Sequence, residues 1–223
     1  MKPETAVLLS GGLDSAVLLA HEARDRIVHP VYVTAGLAWE ADERLTIEHL
    51  LAASMWGDRV RPIAQLDASV TDVYTPSHWA LTGTPPAYDT PDEDVYLHGR
   101  NVILLSKAAL WCATRDLSRL ALGPLAGNPF PDATPGFFEA MARALSIGLD
   151  HRIDIVTPFS RLHKPDVVRL GVGLQVPLEL TLSCMSPLAG QHCGVCSKCR
   201  ERRDAFADAG VDDPTRYVSP SPR

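Results

Sequence analysis

Leu8-Leu9-Ser10-Gly11-Gly12-Leu13-Asp14-Ser15 lies close to the N-terminus. The stretch reads as the end of an apolar strand, a glycine turn and the start of a helix over about Ser15–Arg24. Ser10-Gly11-Gly12 can turn several backbone N–H groups toward one anion, and the helix directs its positive end at the same point. Gly11 and Gly12 carry no Cβ, so they permit positive φ and close approach of a phosphate to the backbone. Ser10 and Ser15 add hydroxyl donors. Asp14 would repel a bare phosphate, which fits a divalent cation between the two. A strand–turn–helix with a capped helix start explains the glycines alone but not the full Ser-Gly-Gly-x-Asp-Ser set.

Outward from this stretch, strand and helix signals alternate. Ala6–Leu9, Ile27–Val33, Arg59–Leu66, Arg119–Leu122 and Arg152–Thr157 read as strands. Pro30 inside the second predicts an irregular start, with pairing confined to Val31–Thr34. Helices are expected over about Glu40–Trp56, Val102–Thr114, Pro135–Gly148 capped by Thr134, and from His163-Lys164-Pro165-Asp166 through about Leu170. That order predicts an α/β fold with a five-stranded parallel sheet and right-handed crossovers. The segment Thr75–Asp94 is rich in proline and acidic residues; it reads as a lid over a site or as a solvated insert.

Ligands of open α/β sheets bind beyond the C-terminal ends of the strands. Gly123–Asp132 follows the fourth strand, which makes Asn128 and Asp132 candidates for substrate, although turn formation also explains them. Arg100 and Asn101 stand where the long segment meets a helix. The planar fork of Arg100 suits phosphate or carboxylate, and Asn101 is either a ligand or the helix cap. Lys164 opens a helix against the dipole preference, which points to a phosphate nearby.

Cys184-x8-Cys193-x2-Cys196-x2-Cys199 is the second strong signal. Four thiolates at this spacing suit a closed, structural zinc site. An iron–sulfur cluster or a redox dithiol are the alternatives, and His192 is a neighbour of the set. Cys112 reads as an inert buried thiol. Lys198, Arg200, Arg202 and Arg203 read as a solvated basic helix face, Phe206 as the anchor of that helix, and the chain after Gly210 as poorly ordered. A net charge of −6 over 223 residues argues against a large nucleic-acid surface. Neither a signal peptide nor a membrane span is evident, so a cytoplasmic location is expected.

The Ser10–Ser15 loop resembles the pyrophosphate loop of the ATP-pyrophosphatase superfamily. Several motifs narrow the resemblance to the 7-cyano-7-deazaguanine synthase family: Gly99-Arg100-Asn101, Thr157-Pro158 with Lys164, Ser183-Cys184 and His192-Cys193-Gly194-x-Cys196-x2-Cys199-Arg200. The resemblance implies an adenine-nucleotide α-hydrolase-like (Rossmann-like) fold over 1–180, a zinc-binding element over 181–210 and a tail over 211–223. It implies ATP and Mg2+ at Leu8, Leu9, Ser10, Gly11, Gly12, Leu13, Asp14, Ser15, Ala16, Val17 and Leu18. Lys164, Arg100 and Asp14 are the implied catalytic set. Arg100, Asn101, Asn128 and Asp132 face the acceptor, and Zn2+ sits on Cys184, Cys193, Cys196 and Cys199. The implied reaction joins 7-carboxy-7-deazaguanine and ammonia at the cost of ATP, in a homodimer without nucleic acid. Two segments depart from the family pattern, Ala35–Glu40 and Gly127–Asp132, and both are expected beside the acceptor. An ATP-dependent ligase for a different carboxylate and a tRNA-modifying enzyme are the competing functions.

Overall fold

The computed structural model describes residues 2–220. Five parallel strands, β1 (Glu4–Leu8), β2 (Ile27–Thr34), β3 (Ala64–Asp67), β4 (Arg119–Ala121) and β5 (Asp154–Val156), form one sheet in the order β3-β2-β1-β4-β5. The helices are α1 (Leu13–Ala23), α2 (Glu40–Leu51), α3 (Trp79–Thr82), α4 (Arg100–Ala113), α5 (Pro135–Leu149), α6 (Lys164–Gly173) and α7 (Ser197–Ala209). The chain runs from β1 to β2 on one side and later places β4 on the other. This reversal opens a crevice beyond the C-terminal ends of β1 and β4.

Both faces of the sheet are covered, so the central strand runs apolar from Ala6 to Leu8 rather than alternating. Val7 packs with Val17 of α1, Leu50 of α2, Val167 of α6 and Phe206 of α7. Ala6 points to the opposite layer, with Leu105 of α4 and Phe138 of α5. Cys112 belongs to that second layer, and burial pushes its thiol up to about 12.

Three boundaries differ from the sequence expectation. β2 pairs from Ile27 onward, with Pro30 opposite Val7. The carbonyl of Val31 faces β1 and accepts from Leu9, while that of Val28 faces the other way and accepts from Arg61. By alternation the nitrogen of Pro30 faces β3, whose paired run begins only at Ala64 opposite Val31, so the missing N–H interrupts no bond. α2 ends at Leu51, and a 3-10 turn over Ser54–Arg59 tucks in Trp56, which donates from its indole to Leu50 O at 2.5 Å. β3 is correspondingly short.

The C-terminal segment is also better held than expected. Val218 N–H donates to His192 O and Ser219 N–H to Cys193 O, and Arg203 lies 3.9 Å over the Tyr217 ring. Residues 221–223 of the expected tail lie outside the described residues. The basic residues of α7 are not a solvated face. Arg202 is fully buried and donates to Leu178 O, Thr181 and Ser183, while Arg200 donates to Tyr88 O and Thr90 O. Guanidinium forks collect the carbonyls that irregular backbone leaves unpaired. Phe206 is the expected anchor, 1% exposed.

Candidate active site

The loop after β1 holds itself open. Ser15 Oγ donates to Gly12 O at 3.0 Å and accepts from Ser10 N–H at 3.2 Å, closing a small ring of hydroxyl and backbone groups. Gly11 takes φ +77°, and a Cβ there would stand 3.2 Å from Glu43 O and from Ile47. Gly12 is the N-cap of α1, and no side chain caps the helix. The first-turn N–H groups are thus left to a ligand. Ser10, Gly12, Leu13, Asp14 and Ser15 line the crevice, as do Leu8 and Leu9. Ala16, Val17 and Leu18 are fully buried in the core beneath it.

Asp14 and Lys164, 150 residues apart, meet at 2.6 Å. Lys164 also stands 3.3 Å from Glu201, which in turn pairs with Lys198 at 2.6 Å. Burial works to lower the Lys164 ammonium, but Asp14 and Glu201 outweigh it and hold the group above its ordinary range. Burial likewise opposes the Glu201 carboxylate, and the two lysines still draw it down to about 2. Lys164 and Glu201 are therefore both charged at neutral pH. Asp14 Oδ2 takes the lysine, while Asp14 Oδ1 is buried without a hydrogen-bond partner among the described residues. An orphaned carboxylate oxygen beside the Ser10–Ser15 loop fits a hard divalent cation such as Mg2+.

Arg100 opens α4 behind Gly99, the N-cap, whose φ is +73°. Asn101 is therefore not the cap. Its backbone N–H donates to Asp132 Oδ2 at 3.0 Å and its side chain to Asp132 O at 2.9 Å. Asp132, 6% exposed, thus fixes the helix end that presents Arg100. Arg100 faces the crevice, and its Nε is buried without a hydrogen-bond partner among the described residues. Asn128 accepts from Phe130 N–H, which sets the turn at the crevice wall.

The crevice has two lobes. The inner one, about 290 Å³, lies over the ends of β1, β2 and β4 and includes Asn101 and Asp132. The outer one, about 650 Å³, runs past Lys164 to Trp39, Trp79 and Met185. Trp39 and Trp79 stack at 5.7 Å with 12° between planes, and Phe130 stacks on Tyr96 at 5.1 Å. Segment 75–94 thus supplies a wall of the site and is tied down by Arg200 and by the bridge between Ala87 and Cys196.

Two carboxylates here carry no motif in the sequence. Glu40 accepts from Ala35 N–H at 2.7 Å, Gly36 N–H at 3.1 Å and the Thr34 hydroxyl, and so shapes the segment after β2. Glu43 lines both lobes. Three acidic residues within the first turn of a helix suggest only a favourable dipole contact, so nothing in the spacing marks them.

The four cysteines gather as their spacing predicts. All are buried, and their sulfurs lie within 4.8 Å of one another, with three pairs at 3.5–3.9 Å. A tetrahedral zinc with Zn–S near ~2.3 Å requires S···S of about 3.8 Å, so the set fits this ion. His192 turns Nε2 away to accept from Ser183 N–H at 3.0 Å and is not needed as a ligand. Leu182 N–H donates to Gly11 O, so the segment entering the cysteine cluster rests directly on the Ser10–Ser15 loop.

Comparison with known proteins matches residues 4–210 to the family model described as queuosine biosynthesis protein QueC. The chain is 34% identical to a 7-cyano-7-deazaguanine synthase of Methanoculleus marisnigri, covering 94% of this chain and 96% of the relative. It is equally similar to one from Azoarcus sp., over 96% and 97%. A crystal structure of a 4-thiouridine synthetase–RNA complex with bound ATP shares the fold, with a TM-score of 0.50 and 13% identity over 93% of this chain and 51% of that one.

Proposed function

This chain belongs to the family described as queuosine biosynthesis protein QueC, and from that premise we propose that it converts 7-carboxy-7-deazaguanine and ammonia to 7-cyano-7-deazaguanine with ATP. The observation that carries the reading is the continuity of the crevice. One space runs from the Ser10–Ser15 loop to the aromatic wall of Trp39, Trp79 and Phe130. A nucleotide on the loop faces a planar acceptor on the wall.

The chemistry needs such a site. A carboxylate oxygen is a poor leaving group, and AMP is a good one. The acceptor carboxylate attacks the α-phosphorus and pyrophosphate leaves. Ammonia then displaces AMP to give the amide. A second activation, at the amide oxygen, ends in the nitrile. Charge grows on pyrophosphate at each activation, where preorganised donors and cations act most strongly. The first-turn N–H groups of α1 and the Ser10 and Ser15 hydroxyls receive the phosphates. Lys164, locked by Asp14 and Glu201, and Arg100 stabilise charge on phosphate and acceptor. Asp14 Oδ1 would hold Mg2+, which supplies further charge neutralisation. Residues Asn101, Asn128 and Asp132 shape the acceptor side. The cysteines would hold a structural zinc, since four thiolates leave no open position. The reading entails a cytoplasmic homodimer that binds no nucleic acid, in keeping with the net charge of −6.

Incubating the protein with 7-carboxy-7-deazaguanine, ammonia, ATP and Mg2+ tests this by mass spectrometry. The nitrile is the expected product. Its absence, with AMP release on another carboxylate, would assign a different acceptor.

A further inference from the structure

At the junction of the two lobes, Ser10, Gly12, Asp14, Glu43, Arg100 and Asn128 line both spaces. This is where a phosphate-bound nucleotide and an acceptor must meet. Of the two carboxylates there, Asp14 is bound to Lys164, whereas no ion pair among the described residues joins Glu43 to a cation. We propose that Glu43 is the general base of the amination, taking the proton that nitrogen loses when ammonia displaces AMP. The proposal rests on the acyl-adenylate reading above.

The geometry supplies what a base needs. Glu43 is 8% exposed yet open to the crevice, and Tyr32 O–H donates to its Oε2 at 2.9 Å. Trp39, which begins the aromatic wall, favours the charged form of the carboxyl. Tyr32 on β2 fixes the carboxyl and leaves it further acceptor capacity toward the crevice. The charged groups that face it are Arg100 from α4 and Glu40 from its own helix. Burial pushes the group up to about 7, against the pull of Arg100, Tyr32 and Trp39 and with the help of Glu40. A base poised there is half free at neutral pH and still strong enough to accept from an ammonium-like nitrogen.

The step balances without any further reactant. Nitrogen bonds to the acyl carbon, the bond from that carbon to the AMP oxygen breaks, and AMP leaves with the electron pair. The nitrogen passes one proton to Glu43, which returns it to solvent. When the amide activated on oxygen collapses to the nitrile, the bond from carbon to the AMP oxygen breaks, AMP leaves with the electron pair, and the two N–H protons pass in turn to the same carboxylate and on to solvent.

Two partial reactions of the full-length protein separate this role from binding. Acceptor-dependent exchange of pyrophosphate into ATP reads the activation alone; nitrile formation at a fixed concentration of free-base ammonia reads the whole. Glu43→Gln should lower nitrile kcat by about 10²-fold or more while exchange falls far less, and Glu43→Asp should recover part of the loss. The wild-type nitrile rate should rise with pH through about 7, and Glu43→Gln should lose that limb. Tyr32→Phe removes a donor to the charged form, so its limb should move to higher pH. Parallel loss of exchange and nitrile formation in Glu43→Gln, or an unchanged pH limb, overturns the base. Failure of wild-type exchange with 7-carboxy-7-deazaguanine overturns the acceptor reading itself.

Discussion

Replacing Lys164 with Ala removes the cation that Asp14 and Glu201 share and leaves both carboxylates beside the phosphate loop. The expected loss is about 10²–10³-fold in kcat, the scale of a preorganised charge stabiliser. Steady-state kinetics of AMP release measures it. The stability of this ladder has a defined pH window. Glu201 is held at about 2, below its ordinary 4.5, so its contribution is complete above 4.5 and lost as pH falls toward 2. Lys164 is held above 10.5, so its contribution is complete below that value and lost only as pH rises beyond it. Glu43 has the opposite sign. Its pKa stands above the ordinary 4.5, so the wild type loses stability as pH rises through about 7. Glu43→Gln should therefore melt higher than wild type at pH 8 and show little advantage at pH 4, in thermal unfolding across buffers. Lys164 and Arg100 were legible as charges at helix starts. Glu43 was not, because only the packing of α2 under the phosphate loop turns an acidic helix start inward.

Gly11 shows what the elements around the loop demand. Its φ of +77° is left-handed, and a Cβ would press on Glu43 O, Thr46 and Ile47 at 3.2–3.3 Å. Gly11→Ala should cost about 1–3 kcal/mol from the backbone conformation and weaken ATP binding, as read by denaturant melts and calorimetric titration. Gly171 is different, with an ordinary helical φ and Val17 of α1 only 2.8 Å from a would-be Cβ. Gly171→Ala should push α6 off α1 and shift Lys164 relative to Asp14, costing about 1–3 kcal/mol by overpacking. At this scale the order of strands and helices was readable from apolar runs and turn residues. The boundaries at Trp56 and Ile27 were not. Trp56 continues a helical pattern but is needed beneath α2, and Pro30 is tolerated only because of which neighbour its nitrogen faces.

Across the whole molecule, the cysteine element and the Ser10–Ser15 loop form one assembly. Leu182 rests on Gly11, α7 carries Lys198 and Glu201 to Lys164, and Arg202 ties α7 to Leu178, Thr181 and Ser183. Cys196→Ser should reduce bound zinc below one equivalent and lower the melting temperature. It should also weaken ATP binding although no cysteine touches phosphate. Metal analysis with calorimetry measures all three. The cysteine spacing announced the gathering of four thiols that could hold a metal; the contact of this cluster with the loop depends on the fold of residues 180–184, which no motif encodes.

The central claim is that the Ser10–Ser15 loop presents an α-phosphorus to an oxygen of the acceptor. Labelling the carboxylate of 7-carboxy-7-deazaguanine with 18O and following the label by mass spectrometry tests it directly. The label should appear in AMP, from the acid oxygen in the first activation and the amide oxygen in the second. Label in inorganic phosphate or pyrophosphate, or retained in an unconverted acceptor while ATP is consumed, would contradict it.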